Sequence, residues 1–310
     1  MRRSRWKQSD TGLTVLSLPT LLWYLAFCYL PMFGIIIAFK QYRLVPGKGF
    51  IYSLFVGSKW VGLQNFRFLF LNPQISAVIR NTLMYNILFL VIDTALPVAL
   101  AVMLSLLRSD RLKRLTLTWS MLPHFLSWVI VSYFVFAFLS YDKGVFNHLL
   151  KGLGAAPVQW YQEPGVWPFI LVVIHIWKTY GYSMVMYSAY ISAIDPNLYD
   201  SAMMDGATLF QRVKYITLPQ LRPVILILFL LNLGNILNTD FGLFYQVTRN
   251  SGAILSATET IDVYIYKALM EQTNYGYSAA ASLLQNMIGC MLLIGANMII
   301  KRVRPEDSIL

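Results

Sequence analysis

Six long apolar stretches alternate with polar intervals along the chain, at about 13–39, 77–107, 116–140, 166–190, 223–243 and 277–300. A helix needs roughly 20 apolar residues to cross about 30 Å of hydrocarbon, and only structures that satisfy their own backbone hydrogen bonds persist there. The pattern therefore predicts an all-α, polytopic membrane protein with six transmembrane helices and one transmembrane domain over 1–310. Two polar intervals are long, 40–76 and 191–222.

The interval 191–222 carries a helix signal of its own. Asp195 is suited to cap a helix whose first residue is Pro196, where the missing N–H costs nothing. Gly206 is suited to end it in a left-handed conformation. Tyr199, Ala202, Met203 and Gly206 then recur at spacings of three and four and share one face. A helix of about ten residues is marginal alone, so that face needs a partner, either the protein's own bundle or another protein.

Composition agrees with the pattern. Of 310 residues, 57% are hydrophobic and 13% charged, and mean hydropathy is +0.56, well above a soluble domain. The net charge of +11 raises nucleic acid as a partner, but the basic residues sit at the ends of apolar segments rather than on a soluble face. With the N-terminus inside, the inner segments (1–12, 108–115, 191–222, 301–310) carry 14 Lys/Arg in 62 residues, against 9 in 95 for the outer ones. That excess is the positive-inside bias, and it places both termini in the cytoplasm. The basic start Arg2, Arg3, Arg5 and Lys7 precedes an apolar run too long for a cleaved signal, with no Ala-x-Ala-like site, and reads as a retained first span. Cys28 and Cys290 both fall within predicted spans and read as packing residues, not a disulfide or metal site.

The external loop 40–76 is rich in aromatic and turn residues, among them Tyr42, Trp60, Phe66 and Phe68, and suggests a lid at the membrane surface. The outer loop after Tyr245 contains Ile261–Met270, a candidate interfacial helix. Polar residues also lie inside the spans: Asn81, Asn86, Asp93, His175, Lys178, Asn232, Asn235, Asn238, Thr239, Asp240, Gln285, Asn286 and Asn297. Charge at mid-bilayer costs at least about 2.5–3.5 kcal/mol on insertion scales, so such groups face the bundle interior or a wet cavity. Hydrogen bonding between helices is the simpler reading for any one of them.

The spacing Asp200-Ser201-Ala202, three residues, Gly206, nine residues, Ile216-x-Leu218-Pro219 resembles the signature loop of binding-protein-dependent ABC importer permeases. Their usual form is Glu-Ala-Ala, three residues, Gly, nine residues, Ile-x-Leu-Pro; this chain has Asp200 for Glu and Ser201 for Ala. Similarity extends to the maltose-type sugar permeases through Trp60-Val61-Gly62-Leu63-Gln64-Asn65-Phe66, Asn81-Thr82-Leu83, Trp177-Lys178 and Ile194-Asp195-Pro196-Asn197-Leu198-Tyr199. Phe241–Gly252 and Thr260–Tyr266 are similar to the subgroup that imports oligosaccharides from complex polysaccharides.

The resemblance implies a type I importer permease fold in a bacterial cell membrane. It implies as partners a second permease subunit, two ATPase subunits, an external solute-binding protein, an oligosaccharide and membrane lipid, with no nucleic acid. The segment 191–222 becomes a cytoplasmic coupling loop, with Tyr199, Asp200, Ala202, Met203, Met204, Asp205, Gly206 and Ala207 at the ATPase and Tyr199, Met203 and Met204 giving apolar contact. The substrate path implied by the family's third, fifth and sixth spans comprises Ser132, Tyr133, Asn238, Thr239, Asp240, Gly242, Gln285 and Asn286. Lys178 or Arg249 would balance Asp240 against an acidic sugar. The chain has no Gly-x-x-x-x-Gly-Lys-Ser/Thr run, so ATP and Mg²⁺ belong to the partner ATPase, and this chain holds no catalytic residues, metal or cofactor.

Two rival readings stand beside it. A secondary transporter or channel would use Asp93, Asp240, His175 and Lys178 as an ion path. A membrane enzyme would need a catalytic cluster, yet His124, His148 and His175 are scattered and no paired carboxylates or metal-spaced ligands occur.

Overall fold

The computed structural model describes residues 8–71, 73–271 and 273–303. The basic start and both chain ends, expected inside, lie outside the described residues. The chain forms two compact units, one of Met1–Leu71 with Ala268–Leu283 and the other of Asn72–Lys267 with Leu284–Leu310.

In the first unit, helix α1 (Gln8–Tyr24) continues through a π turn at Leu25–Tyr29 into a 3₁₀ segment, Leu30–Phe39. Pro31 causes the change of pitch. It lacks an N–H and its ring crowds the carbonyl four residues back, and the preceding Leu30 N–H bonds Leu25 O, five residues back. From Leu13 to Phe33 the apolar side chains of this segment are exposed, Leu16 at 77%, as a lipid-facing span requires, whereas Ala38 in its last turn is buried. Residues 40–71 of the long loop form regular elements. Strands β1 (Lys40–Gln41) and β2 (Lys59–Trp60) pair antiparallel, and a short helix, Phe50–Phe55, lies between them. Lys40 donates to Leu54 O at 2.7 Å. Asn65 donates to Ala38 O and Lys40 O at 2.8 and 3.0 Å, and Phe39 stacks on Trp60.

The second unit is built on α2 (Pro73–Ser105), α3 (Asp110–Met121), α4 (Trp128–Leu139), α5 (Trp167–Ser192), α6 (Pro196–Met204) and α7 (Leu218–Gly234). It is completed by most of α8 (Ile261–Met270), the expected short helix, and the later part of α9 (Tyr275–Val303). Helices α2 and α5 pack along each other. One apolar cluster centres on Tyr85, Phe89, Trp167, Leu171 and Phe244. A second, nearer 191–222, joins Ala101, Leu104, Met184, Tyr187, Ile191 and Leu221.

Two expected spans are interrupted. The third, expected at 116–140, is α3 with a 3₁₀ turn at Leu122–Phe125, followed by α4 at 95° to it. Pro123 starts the turn, and Ser127 caps α4 by accepting from Ile130 N. The fifth, expected at 223–243, begins earlier and ends at Gly234. Asn235 to Thr239 are irregular before a π turn at Gly242–Val247, where amide side chains compete with the helix for backbone groups. Among the described residues five helices are long and apolar enough to cross a membrane, or six with the bent pair counted as one span.

Candidate functional site

Loop 191–222 folds as its caps direct. The Asp195 carboxylate accepts from Asn197 N at 3.0 Å, and Pro196 follows at the first helical position. At the other end Gly206 has φ +79°. Its N–H donates to Met203 O at 3.1 Å, while Ala207 N–H donates to Ala202 O at 2.9 Å. These two bonds make a Schellman closure, which needs a residue free to adopt left-handed backbone. Thr208 and Gln211 then form a capping box on a short helix, Leu209–Arg212. A π turn at Val213–Thr217 leads into α7, with Leu218 N–H bonded to Val213 O ahead of Pro219, the device already seen at Pro31.

Within this loop the face expected to be apolar and shared divides in two. Tyr199 turns inward and its hydroxyl meets Thr217 Oγ1 at 3.0 Å, tying α6 to the root of α7. Ala202 is half-buried, as is Ala207. Asp200, Met203, Asp205 and Gly206 are exposed, and Met204 stands 90% exposed at the tip. Leu209 and Phe210 extend this apolar surface.

The interrupted backbone in the second unit is held by polar side chains from the regular helices. On α2, Asn81 donates to Ser256 O and Glu259 O, Tyr85 to Ala257 O, and Asn86 to Ile236 O and Asn238 O, at 2.8–3.2 Å. Thr82 accepts from Ile261 N. Lys178 on α5 donates to His124 O at 2.9 Å and Leu126 O at 2.8 Å, at the bend between α3 and α4. Its ammonium also lies 5.0 Å from the centre of the Trp128 ring. Trp128 in turn donates to Asp240 Oδ2 at 2.8 Å, and Asp240 Oδ1 accepts from Gly242 N. A Cβ on Gly242 would collide with the Trp128 indole, so only glycine allows this approach.

These contacts locate the residues of the expected path. Ser132 donates to Gln246 O at 2.6 Å, and Tyr133 is 66% exposed on α4. Thr239 bonds Thr260 and Asp262, and Gln285 bonds Leu237 O and the same Asp262. Asn286 is exposed on α9. Asn238 and Asp240 line a cavity of about 150 Å³ with Asn86, Asp93, His175 and Asn235. There His175 Nε2 faces Asp93 Oδ2 at 2.9 Å and the ring stacks on Phe89. The four residues considered as an ion path are thus engaged: Asp93 with His175, Lys178 with carbonyls, and Asp240 with Trp128. Arg249 lies over Phe136, with its guanidinium carbon 4.1 Å from the ring centre.

Sequence reasoning missed Trp128, whose partner Asp240 lies 112 residues away. It read Asp262 only as part of the run Thr260–Tyr266, without its bond to Thr239, 23 residues earlier. Asn147 joins the hairpin between α4 and α5 by bonding Val158 N, Val158 O and Trp160 Nε1. Beside it, Tyr161 donates to Val247 O, and burial pushes its phenol up to about 12, with Arg249 opposing. Among the described residues no group of three or more His, Cys, Asp or Glu could hold a metal ion.

Comparison with known proteins matches residues 94–305 to the family described as the binding-protein-dependent transport system inner membrane component. Protein LplB of Bacillus subtilis (strain 168) is 35% identical over 99% of this chain and 92% of its own. The polygalacturonan/rhamnogalacturonan transport system permease protein YteP of the same organism is 33% identical over 95% and 89%. Among solved structures, a chain of a bacterial ABC transporter involved in the import of the acidic polysaccharide alginate matches with a TM-score of 0.84. It is 32% identical, over 96% of this chain and 97% of that one. The family match over most of the chain and the relatives matched along nearly their whole length agree: the chain belongs to the binding-protein-dependent transport system inner membrane components, the multi-pass transport subunits of ABC importers.

Proposed function

We propose that this chain is one of two permease subunits of an ATP-driven bacterial importer for an oligosaccharide released from a complex polysaccharide. The carrying observation is the helix Pro196–Met204, Schellman-closed at Gly206, which presents Met203 and Met204 to solvent and is anchored through Tyr199 and Thr217. An exposed apolar knuckle of this kind suits the groove of a separate ATPase, which supplies ATP and Mg²⁺. The relatives support a carbohydrate: they include YteP, an arabinooligosaccharide permease and a galactooligosaccharide permease. A second solved match is an alginate transporter in complex with an alginate pentasaccharide-bound periplasmic protein, which supports delivery by an external solute-binding protein.

The polar cavity beside Asn238 and Asp240 is smaller than the roughly 300–1,000 Å³ of most ligand pockets. A path completed by a second permease accounts for that. Coupling requires ATP-driven closure to favour one arrangement of the loop and its attached spans over another. The test is Met203→Ser with Met204→Ser in a membrane preparation, scored for ATPase co-purification and for uptake of oligogalacturonate delivered by the binding protein. Both readouts fall in the variant while the chain still inserts; unchanged co-purification and uptake would refute the reading.

A further inference from the structure

Beneath the coupling loop lies a cleft of about 790 Å³, framed by the ends of α2 and α5, by α3, and by α6 with the turn after it. Its wall carries three cations, Arg108, Lys113 and Arg212, together with Ser188. Arg212 Nε and Ser188 Oγ are buried and have no hydrogen-bond partner among the described residues. Buried polar atoms are nearly always paired, so two orphans in one cleft call for a missing partner. Its charge fixes the sign of that partner. Lys113 has a carboxylate partner, Asp110, 3.7 Å away and highly exposed, and among the described residues no ion pair is found for Arg108 or Arg212. Leu104 and Leu117 give the same cleft an apolar side.

We infer that this cleft binds a phosphoryl anion, taken either from an anionic phospholipid headgroup of the cytoplasmic leaflet or from a soluble phosphate ester. Guanidinium groups present forked donors that match phosphate oxygens, and a serine hydroxyl supplies a further donor. Basic pockets between membrane helices at the cytoplasmic side attract such headgroups, and the apolar side suits the start of an acyl chain. An anion there links Arg108, just ahead of α3, to Arg212 in the coupling loop. Occupancy therefore steadies the loop that receives the ATPase.

The test uses the full chain in neutral detergent, offered equimolar phosphatidylglycerol and phosphatidylcholine with matched acyl chains. Retained lipid is read by native mass spectrometry, with inorganic phosphate as soluble competitor. Phosphatidylglycerol is retained preferentially, and the preference falls about fivefold in Arg108→Gln and in Arg212→Gln but not in Arg302→Gln at the end of α9. Displacement by inorganic phosphate assigns the site to a soluble ester, and selectivity that survives phosphate assigns it to lipid; both support the proposal. Equal retention of the two lipids with no effect of phosphate overturns it, as does an unchanged preference in both arginine variants. Arg108 is exposed and outside any helix, so its variant remains informative if Arg212→Gln misfolds. Loss of ATPase co-purification in Arg108→Gln with unaltered lipid retention assigns the cleft to a protein carboxylate and also overturns it.

Discussion

Lys178 Nζ stands 2.8 Å from the carbonyl oxygen of Leu126, so a cation on one span closes the break in another. Breaking a helix in hydrocarbon frees carbonyls that water cannot reach, and each needs a donor from the protein. Lys178→Met removes that donor and is expected to destabilise the protein by about 1.5–3 kcal/mol, the range for hydrogen bonds to charged groups. Thermal unfolding in detergent measures this, and no loss of stability would show that the bend holds itself.

Trp128 and Asp240 couple the two interrupted spans. Trp128→Phe, Asp240→Asn and the double variant form a thermodynamic cycle. The expected interaction energy is about 0.5–3 kcal/mol, as for residues that share a bond. A value near zero would separate the two breaks energetically. If Asp240 also faces solute, Asp240→Asn slows oligosaccharide uptake beyond its effect on stability; an equal uptake rate leaves it a purely structural residue.

Gly206→Asp places a side chain where φ is +79°. Left-handed backbone costs roughly 1–2 kcal/mol for a residue with a Cβ, and the new charge adjoins the exposed Met203–Met204 surface. Uptake is expected to be abolished while the protein still inserts. Normal uptake by an inserted variant would remove this loop from coupling.

Asn81→Leu and Asn86→Leu each strip donors from carbonyls between residues 236 and 259. Hydrogen bonds between membrane helices average about 0.6 kcal/mol with a maximum near 1.7, so each variant loses stability within that range. Hydrogen exchange should rise over 235–261 and not in α5. Uniform exchange across the chain would contradict the local role.

Tyr161 gives a pH signature. Its phenol is pushed up to about 12 from 10.0, so between those values the unfolded chain releases its proton first. The folded state then binds more protons, and stability falls as pH rises through this window, with no effect below pH 10.0. Tyr161→Phe should flatten the alkaline fall in thermal stability. An identical fall in both proteins would exclude this residue as its source.

Much of this architecture is legible in the sequence because it depends on local signals. Runs of apolar residues marked the membrane helices, and Asp195, Pro196 and Gly206 marked both ends of α6, which are closed by bonds spanning at most five residues. Hydropathy records composition and is blind to backbone path, so the bend at Pro123 and the early end of α7 at Gly234 were hidden inside apolar runs. The role of Lys178 was hidden for another reason: the carbonyls it serves lie 52–55 residues earlier in the chain. Tyr199 carried a helical spacing that put it with Met203, but spacing does not say which side faces outward, and Thr217 decided that.

The ties from α2 to residues 236–261 have a consequence for biogenesis. A ribosome delivers the fifth span more than a hundred residues after the second, and the irregular segment cannot satisfy its carbonyls by itself. Asn81, Tyr85 and Asn86 must already be in the bilayer and still facing inward when it arrives. The order of synthesis is thus written into the hydrogen bonds: the early helix acts as a waiting template, and a fragment that begins after α2 has nowhere stable to place its own broken span.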